Sequence, residues 1–272
     1  MKLAGVMGWP VAHSRSPVLH GWWLKRYGIA GAYVPLAVRP ERLDEAIRAL
    51  PALGFAGCNV TIPHKQAALR LVDRVDATAR RIGAVNTIVV GADGSLMGSN
   101  TDAFGFVESL GAGWRADAGP AVVIGAGGAA RAIVVALAER GAPEIRLVNR
   151  TLARAESLAG ELGGTAVAWD RRARALEDAA LVVNTTNQGM AGEAPLDLPL
   201  LHLPPQATVA DIVYVPLETP LLAAARRRGH RVVDGLGMLL HQGRPGFAAW
   251  FGTMPAVTPG LREAVSATLV PR

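Results

Sequence analysis

The feature that most constrains this chain is a glycine-rich segment where a strand meets a helix. Residues 122–124 are apolar and predict a buried strand, and residues 129–139 have a helical composition that ends before Gly141. At their junction the chain reads Gly-Ala-Gly-Gly-Ala-Ala over residues 125–130. A strand, a tight glycine turn and a helix in this order are typical of the first part of a dinucleotide-binding fold. The segment therefore predicts a doubly wound α/β domain.

The same alternation of strands and helices continues on both sides of this segment. Downstream, strands are predicted at residues 145–148, 181–184, 208–212 and 231–234, and helices at 152–162, 220–228, 239–250 and 259–269. Upstream, short strands and helices alternate, with a helix at residues 66–72 and a hairpin at residues 87–98. We therefore predict an α/β domain over residues 1–103, a Rossmann-like domain over 104–237 and C-terminal helices in 238–272 that return to the first domain.

Composition argues against several classes of protein. Half of the 272 residues are hydrophobic, so the chain can bury a large core. The most apolar stretch is interrupted by glycines and Arg131, so we expect no membrane span, and the first residues predict no export signal. A single cysteine, Cys58, excludes an internal disulfide framework and suits a metal-independent protein of the cytoplasm. The net charge of +6 comes from scattered arginines without a nucleic-acid-binding motif, so we expect a small-molecule partner.

The glycine turn has the chemistry of an anion site. Gly125 permits the tight turn, Gly127 removes the side chain where a pyrophosphate must approach, and Ala130 allows close packing. The helix that follows offers free N–H groups and the positive end of its dipole. We therefore predict cofactor contacts from residues Gly125, Ala126, Gly127, Gly128, Ala129 and Ala130.

The next strand indicates which dinucleotide is bound. It ends at Val148 and is followed by Asn149, Arg150 and Thr151, with Arg154 one helical turn further on. An NAD site normally carries a carboxylate here for the ribose hydroxyls, whereas a guanidinium suits a 2′-phosphate. We therefore predict NADP rather than NAD. The alternative is that both arginines are ordinary surface residues.

Four short polar segments in the first half of the chain predict a substrate site. They read HSRSP from residue 13, NVTIPHK from residue 59, GAVNT from residue 83 and NTD from residue 100. Each lies in a loop or at the end of a predicted strand, where side chains can converge on a cleft. Together with GAGGAAR, NRT and DGLGMLLHQG further along, they make the chain resemble the shikimate dehydrogenase family almost from end to end.

The resemblance implies an activity and a role for individual residues. It implies reversible reduction of 3-dehydroshikimate to shikimate, a step of chorismate and aromatic amino acid biosynthesis, with Lys65 and Asp102 as the catalytic residues. It implies a substrate site formed by Ser14, Ser16, Thr61, Lys65, Asn86, Asp102, Tyr214 and Gln242, in which the serines and Tyr214 bind the carboxylate. It extends the cofactor site to Asn149, Arg150, Thr151, Arg154 and the backbone of Gly235. The chain departs from the family at Asn187, where a serine is usual.

The proposed reaction explains why a lysine is needed at position 65. Reduction of a ketone requires a proton at the oxygen as well as a hydride at the carbon. The chain has 25 arginines and only three lysines, Lys2, Lys25 and Lys65. A guanidinium effectively never releases its proton, so arginine could not replace Lys65 in this role.

Two other interpretations stay open at this point. One is a quinate/shikimate dehydrogenase with relaxed cofactor use. The other is a non-catalytic relative that keeps the fold and binds a metabolite. The sequence does not distinguish a monomer from a homodimer.

Overall fold

The computed structural model describes residues 1–269, which form two compact units. The first unit comprises Met1–Asp102 together with Leu239–Thr268, and the second is built on Ala103–Met238. The α/β fold class predicted from the sequence is confirmed, since each unit contains its own six-stranded sheet. Residues 270–272, which the predicted C-terminal segment includes, lie outside the described residues.

The first unit is built on a mixed sheet. Its strands, in chain order, are β1 (Lys2–Gly8), β2 (Gly31–Ala37), β3 (Phe55–Val60), β4 (Arg74–Val75), β5 (Thr87–Val90) and β6 (Leu96–Ser99). They lie in the order β2-β1-β3-β5-β6-β4. Helices α1 (Ser16–Arg26), α2 (Leu43–Ala49), α3 (Lys65–Ala68) and α4 (Ala77–Ile82) belong to the first segment of this unit, Met1–Asp102. Helix α5 (Asp102–Leu110) starts at the last residue of that segment.

The direction of the strands brings the predicted substrate residues to one end of this sheet. β1 is parallel to β2 and β3, β5 is antiparallel to both β3 and β6, and β4 is parallel to β6. The carboxyl ends of β1, β3 and β6 therefore lie beside the amino end of β5. We call this the carboxyl end of the first sheet. The segments that follow β1, β3 and β6, and the one that precedes β5, contain the four polar motifs.

Both faces of the first sheet are covered. α2 packs on one face through Leu43 and Ile47, which are buried with Cys58 of β3. α1 buries positions three and four residues apart, including Leu19 and Trp23, as expected of a helix with one apolar face. The C-terminal part of the chain returns to this unit as α9 (Gly235–Phe251) and α10 (Pro259–Ser266), and Trp250 Nε1 of α9 donates to the Ile88 carbonyl at 3.0 Å.

The second unit contains a fully parallel sheet. Its strands are β7 (Ala121–Ile124), β8 (Ile145–Asn149), β9 (Thr165–Ala168), β10 (Leu181–Asn184), β11 (Thr208–Asp211) and β12 (Arg231–Val233). They lie in the order β12-β11-β10-β7-β8-β9, and every pair is parallel. The remaining helices of this unit are α6 (Gly128–Glu139), α7 (Leu152–Leu162) and α8 (Pro220–Arg227). The strand order reverses between β7 and β10, which is where doubly wound folds bind ligands.

Several predicted boundaries were wrong for identifiable reasons. The helix predicted at residues 66–72 ends at Ala68. The helix predicted from residue 239 already begins at Gly235, because the Asp234 carboxylate accepts the N–H of Leu236 at 3.1 Å and so caps a start that its glycines concealed. α4 was missed although Asp76 caps it and Gly83 ends it, since only Ala79 and Ile82 of its residues are buried.

No helix within residues 1–269 has both the length and the apolar character needed to cross a membrane. The functional labels of the predicted domains stay predictions, because the two units are defined by contacts alone.

His20 of α1 is fully buried among aromatic rings. Its ring stacks on Tyr33 with 3.9 Å between centroids and lies 5.4 Å from Trp23 and 5.9 Å from Phe247. Neither ring nitrogen has a hydrogen-bond partner in the described part of the chain. Burial lowers the pKa of His20 to about 3, so the native state holds a neutral imidazole.

This histidine should make the stability of the first unit depend on pH. The unfolded chain binds a proton at His20 below about pH 6.5 and the native state does not, so the free energy of unfolding should fall by about 1.4 kcal/mol per pH unit between pH 6.5 and the folded pKa. Above pH 6.5 the contribution is fully present. His20→Phe should remove this dependence of the free energy of unfolding on pH. The measurement is urea unfolding between pH 4 and 7, monitored by hydrogen exchange of peptides from α1.

The matched control is His13→Phe, which replaces an exposed histidine and should keep the wild-type slope. Parallel profiles for the wild type and His20→Phe would mean that His20 does not bear this linkage.

Candidate active site

Lys65 and Asp102 form an ion pair at the carboxyl end of the first sheet. Lys65 Nζ lies 2.6 Å from Asp102 Oδ2, and the two side chains are 25% and 8% exposed. Lys65 is the first residue of α3, which follows β3, and Asp102 is the first residue of α5, which follows β6. The structure thus joins two residues that are 37 positions apart in the sequence and leaves the ammonium partly accessible.

The amide of Asn86 holds the other carboxylate oxygen. Its Nδ2 donates to Asp102 Oδ1 at 2.8 Å and to Thr101 Oγ1 at 3.1 Å, and it lies 3.5 Å from Gln242 Oε1. Its Oδ1 accepts the Thr101 N–H at 2.9 Å. Each oxygen of Asp102 therefore has its own donor, and the carboxylate has little freedom to rotate away from Lys65.

Asn100 fixes the start of α5. Its Oδ1 accepts the Asp102 N–H at 3.0 Å, and its Nδ2 donates to the Ala84 carbonyl at 2.9 Å. Both Asn100 and Thr101 are buried. They were not among the predicted site residues, although the Asn-Thr-Asp motif contains both, because a single sequence does not show which motif residues bind ligand and which hold the backbone.

The other predicted substrate residues of the first unit occupy neighbouring loops. Ser14 and Ser16 lie after β1, where Ser14 Oγ accepts the Ser16 N–H at 3.3 Å and Ser16 is buried. Thr61 lies after β3, and its N–H donates to the Met7 carbonyl of β1 at 2.8 Å. Gln242 belongs to α9 and is joined to Asn86. Tyr214 and Gly235 belong to the second unit.

The glycine turn of the second unit presents bare backbone at the start of α6. Gly125 has φ +112°, and a Cβ there would lie 2.5 Å from Thr185 Oγ1, so the turn requires glycine. A Cβ at Gly127 or Gly128 would meet no atom within 4 Å. Ala130 is fully buried, as close packing of α6 requires. The free space and the helix N-terminus fit a pyrophosphate.

Two exposed guanidinium groups follow β8, one on Arg150 directly after the strand and one on Arg154 in α7. Arg150 and Arg154 form no salt bridge with residues 1–269, whereas Arg131 pairs with Glu161 and Arg146 with Glu144 and Asp178. Asn149 Nδ2 donates to the Thr151 carbonyl at 2.8 Å and stabilises the turn into α7. Arg150 and Arg154 are therefore free to bind an anion next to the glycine turn, since Gly125 N–H donates to the Val148 carbonyl of β8 at 2.8 Å.

Gly235 has a structural reason to be glycine. A Cβ at this position would lie 2.2 Å from the Ile212 carbonyl oxygen. Its predicted approach to the nicotinamide stays a prediction, since crowding against the end of β11 already accounts for the residue.

A second polar network joins the carboxyl ends of β10 and β11. Asp211 accepts hydrogen bonds from Asn184 Nδ2 at 3.0 Å, from the Val213 N–H at 3.0 Å and from Thr219 Oγ1 at 2.7 Å. Burial raises the pKa of Asp211 to about 6, and these hydrogen bonds lower it only in part. Sequence analysis missed this network, because nothing in the chain marks Asp211 as buried.

Sequence comparison places this chain among known enzymes. Residues 6–88 match the shikimate dehydrogenase substrate binding domain, and residues 114–191 match the family described as shikimate / quinate 5-dehydrogenase. The chain is 62% identical to the NADP(+) shikimate dehydrogenase of Paramagnetospirillum magneticum, over 97% of this chain and 98% of that protein. It belongs to the shikimate dehydrogenase family. The Rhodospirillum rubrum member is 60% identical over 97% of this chain and 96% of its own length.

Solved structures of this family have the same fold. The Thermus thermophilus shikimate 5-dehydrogenase, in complex with NADP(H) and shikimate, has a TM-score of 0.89 at 39% identity and covers 99% of this chain and 100% of its own. The Corynebacterium glutamicum quinate dehydrogenase, in complex with NAD, has a TM-score of 0.90 at 33% identity and covers 98% of this chain and 99% of its own. The shared fold therefore does not separate shikimate from quinate, or NADP from NAD.

The open space at Gly127 leads to a test of the glycine turn. Gly127 has φ −96° and ψ −170°, a conformation that valine adopts readily, so Gly127→Val should fold with little change in melting temperature. Its side chain would fill the space where a pyrophosphate must lie. We expect NADPH affinity, measured by fluorescence titration, to fall at least about tenfold.

The matched control is Gly160→Val on α7, where a Cβ also meets no atom within 4 Å. It should bind NADPH as the wild type does. Equal affinity of both variants would exclude the turn as the cofactor site.

Proposed function

We propose that this chain is an NADP-dependent shikimate dehydrogenase, which reversibly reduces the ketone of 3-dehydroshikimate to the alcohol of shikimate in chorismate and aromatic amino acid biosynthesis. The observation that carries the proposal is the Lys65–Asp102 pair, 2.6 Å apart, in a chain 62% identical to a shikimate dehydrogenase. NADP is the cofactor named for the relatives with 50–62% identity.

Lys65 is proposed as the acid and base of the reaction. Its ammonium is partly exposed, so it can reach a substrate oxygen and donate the proton that the new alcohol requires. In the reverse direction the neutral amine accepts that proton. When bound, NADPH supplies the hydride that the carbonyl carbon receives. Asp102 orients the ammonium and, with Asn86, is placed to bind a ring hydroxyl.

The carboxylate of the substrate is proposed to bind at the loop after β1. Ser14 and Ser16 offer hydroxyl groups at the same end of the sheet as Lys65, and Tyr214 of the second unit would add a third. Thr61 and Gln242 would complete the polar lining. On this proposal, Met1–Asp102 and the returning helices form the substrate domain.

The cofactor is proposed to bind the second unit at its glycine turn. Residues 125–130 would hold the pyrophosphate, and Asn149, Arg150, Thr151 and Arg154 would hold the adenosine end. Arg150, exposed and without a salt bridge among the described residues, would bind the 2′-phosphate. Gly235 would approach the nicotinamide through its backbone. We further propose that the enzyme is cytoplasmic and acts as a monomer or homodimer.

Quinate is the second candidate substrate. The likeness to a quinate dehydrogenase with NAD, at a TM-score of 0.90, favours testing it. The missing carboxylate after Val148 argues against the NAD half of that alternative. The intact Lys65–Asp102 pair argues against a non-catalytic relative, because it keeps the proton donor that the reaction requires.

A direct assay tests the proposed function. Purified protein is given shikimate or quinate with NADP or NAD, and the reduced cofactor is followed by absorbance. We expect kcat/KM to be highest for shikimate with NADP, and at least about tenfold lower when either component is exchanged. Equal or better efficiency with NAD would reject the cofactor assignment, and preference for quinate would reject the substrate.

Replacement of Lys65 tests the proposed mechanism. Lys65→Ala removes the proton donor and should lower kcat by about 10²–10⁴-fold with a modest change in KM for shikimate. Lys25→Ala removes an exposed lysine of α1 and is the matched control, with activity expected to equal that of the wild type. Near-normal turnover of Lys65→Ala would remove Lys65 from the mechanism.

A further inference from the structure

Tyr33 and Asn59 form a buried hydrogen bond that is connected to the proposed catalytic pair through other side chains. Tyr33 lies on β2 and Asn59 on β3, the two strands that flank β1, and both side chains are buried. The Tyr33 hydroxyl donates to Asn59 Oδ1 at 2.6 Å. Burial raises the pKa of Tyr33 well above its usual value, so this hydroxyl keeps its proton.

The Tyr33 hydroxyl completes the hydrogen bonds of the Asn59 amide. Nδ2 donates to the Asn86 carbonyl and to Thr87 Oγ1, each at 3.0 Å, and Oδ1 accepts the Tyr33 proton. Reversing the amide would bring its oxygen against the Asn86 carbonyl oxygen, which has no proton to donate. Asn59 therefore keeps one orientation, and removal of the Tyr33 hydroxyl would take away the donor of its buried Oδ1.

Further hydrogen bonds connect Asn59 to the Lys65–Asp102 pair. Thr87 Oγ1 accepts from Asn59 and donates its own proton to Asn86 Oδ1 at 2.9 Å. Asn86 Oδ1 accepts from both Thr87 Oγ1 and the Thr101 N–H, so Asn86 Nδ2 faces Asp102 Oδ1 at 2.8 Å. Each side chain in the series Tyr33, Asn59, Thr87, Asn86 and Asp102 is thus a donor to the next, directly and without an intervening charge.

We propose that Tyr33 is a positioning residue for the catalytic pair, and that its hydroxyl completes the buried series of hydrogen bonds that holds Asp102 against Lys65. This inference deepens the proposed function and rests on it for the role of Lys65. Tyr33 itself acts only through Asn59, Thr87 and Asn86. The stacking of His20 on its ring, at 3.9 Å, fixes the ring without adding a charge.

Removal of one hydroxyl tests the proposal. Tyr33→Phe keeps the stacked ring and should fold, but it leaves Asn59 Oδ1 without its donor. We expect kcat to fall about tenfold or more, with KM for NADPH unchanged because the proposed cofactor turn lies in the second unit. Tyr27→Phe is the matched control, since its hydroxyl, which accepts the Ala256 N–H at 3.0 Å, lies outside the series.

Two variants of Thr87 test whether its hydroxyl group, and not only its shape, is needed for activity. Thr87→Val keeps the shape of the buried side chain and breaks the series, whereas Thr87→Ser keeps the hydroxyl and loses a methyl group. The valine variant should lose activity as Tyr33→Phe does, and the serine variant should stay within about twofold of the wild type. The double variant Tyr33→Phe/Thr87→Val should be no slower than either single variant, because both break one series.

A signal from Lys65 itself separates this inference from the proposed function. The chain has only three lysines, so a protein with isotope-labelled lysine gives three side-chain NMR signals, and Lys65→Arg identifies the one from Lys65. Tyr33→Phe should shift the Lys65 signal towards its position in Asp102→Asn, while Lys2 and Lys25 stay in place and Tyr27→Phe shifts none of them.

A shifted Lys65 signal in a protein that is inactive on shikimate would support the positioning role and overturn the proposed function. A Lys65 signal that Tyr33→Phe leaves in place would overturn the positioning role, whether or not kcat falls. Loss of activity in Thr87→Ser equal to that in Thr87→Val would overturn it as well.

Discussion

The contact between Asn86 and Asp102 is the interaction on which the proposed active site depends. A largely buried carboxylate is tolerated only if each of its oxygens has a donor, and here Lys65 serves one oxygen and Asn86 the other. These donors lie after β3 and before β5, two antiparallel neighbours in which Asn59 is the partner of Thr87. The spacing of the two donors is therefore set by strand register, and Lys65 follows β3 as the first residue of α3.

The second unit also buries a carboxylate, that of Asp211, but with a different set of donors. Within residues 1–269, Asp211 has only neutral donors, namely two side chains and a backbone N–H. No cation offsets the cost of burial there, and the pKa of Asp211 rises to about 6. Asp102 faces an ammonium that is partly open to solvent. A carboxylate surrounded by neutral donors ties loops together, whereas one beside an accessible ammonium can orient a group that acts on a ligand.

Sequence predicted most of what is local and little of what crosses the sheet. The glycine turn and five of the six strands of the second sheet follow from periodicity and composition, and Lys65, Asn86 and Asp102 follow from motifs that resemble a known family. β9 was missed. The Tyr33–Asn59 bond joins positions 26 residues apart on strands that are separated by β1, and no pattern along the chain encodes that pairing. The two-residue strand β4 was missed for a related reason, because it is defined by its pairing with β6 rather than by composition.

The glycines of the second unit divide by cause, and the division bears on the cofactor. Gly125 and Gly235 are required by the chain itself, because a Cβ would collide with Thr185 or with the Ile212 carbonyl. Gly127 and Gly128 are not, since a side chain there would meet nothing in the protein. A serine or aspartate at position 127 would cap a free N–H, and alanine at 128 would favour the helix. Folding alone therefore gives no reason for the two glycines, and a ligand that approaches the start of α6 does.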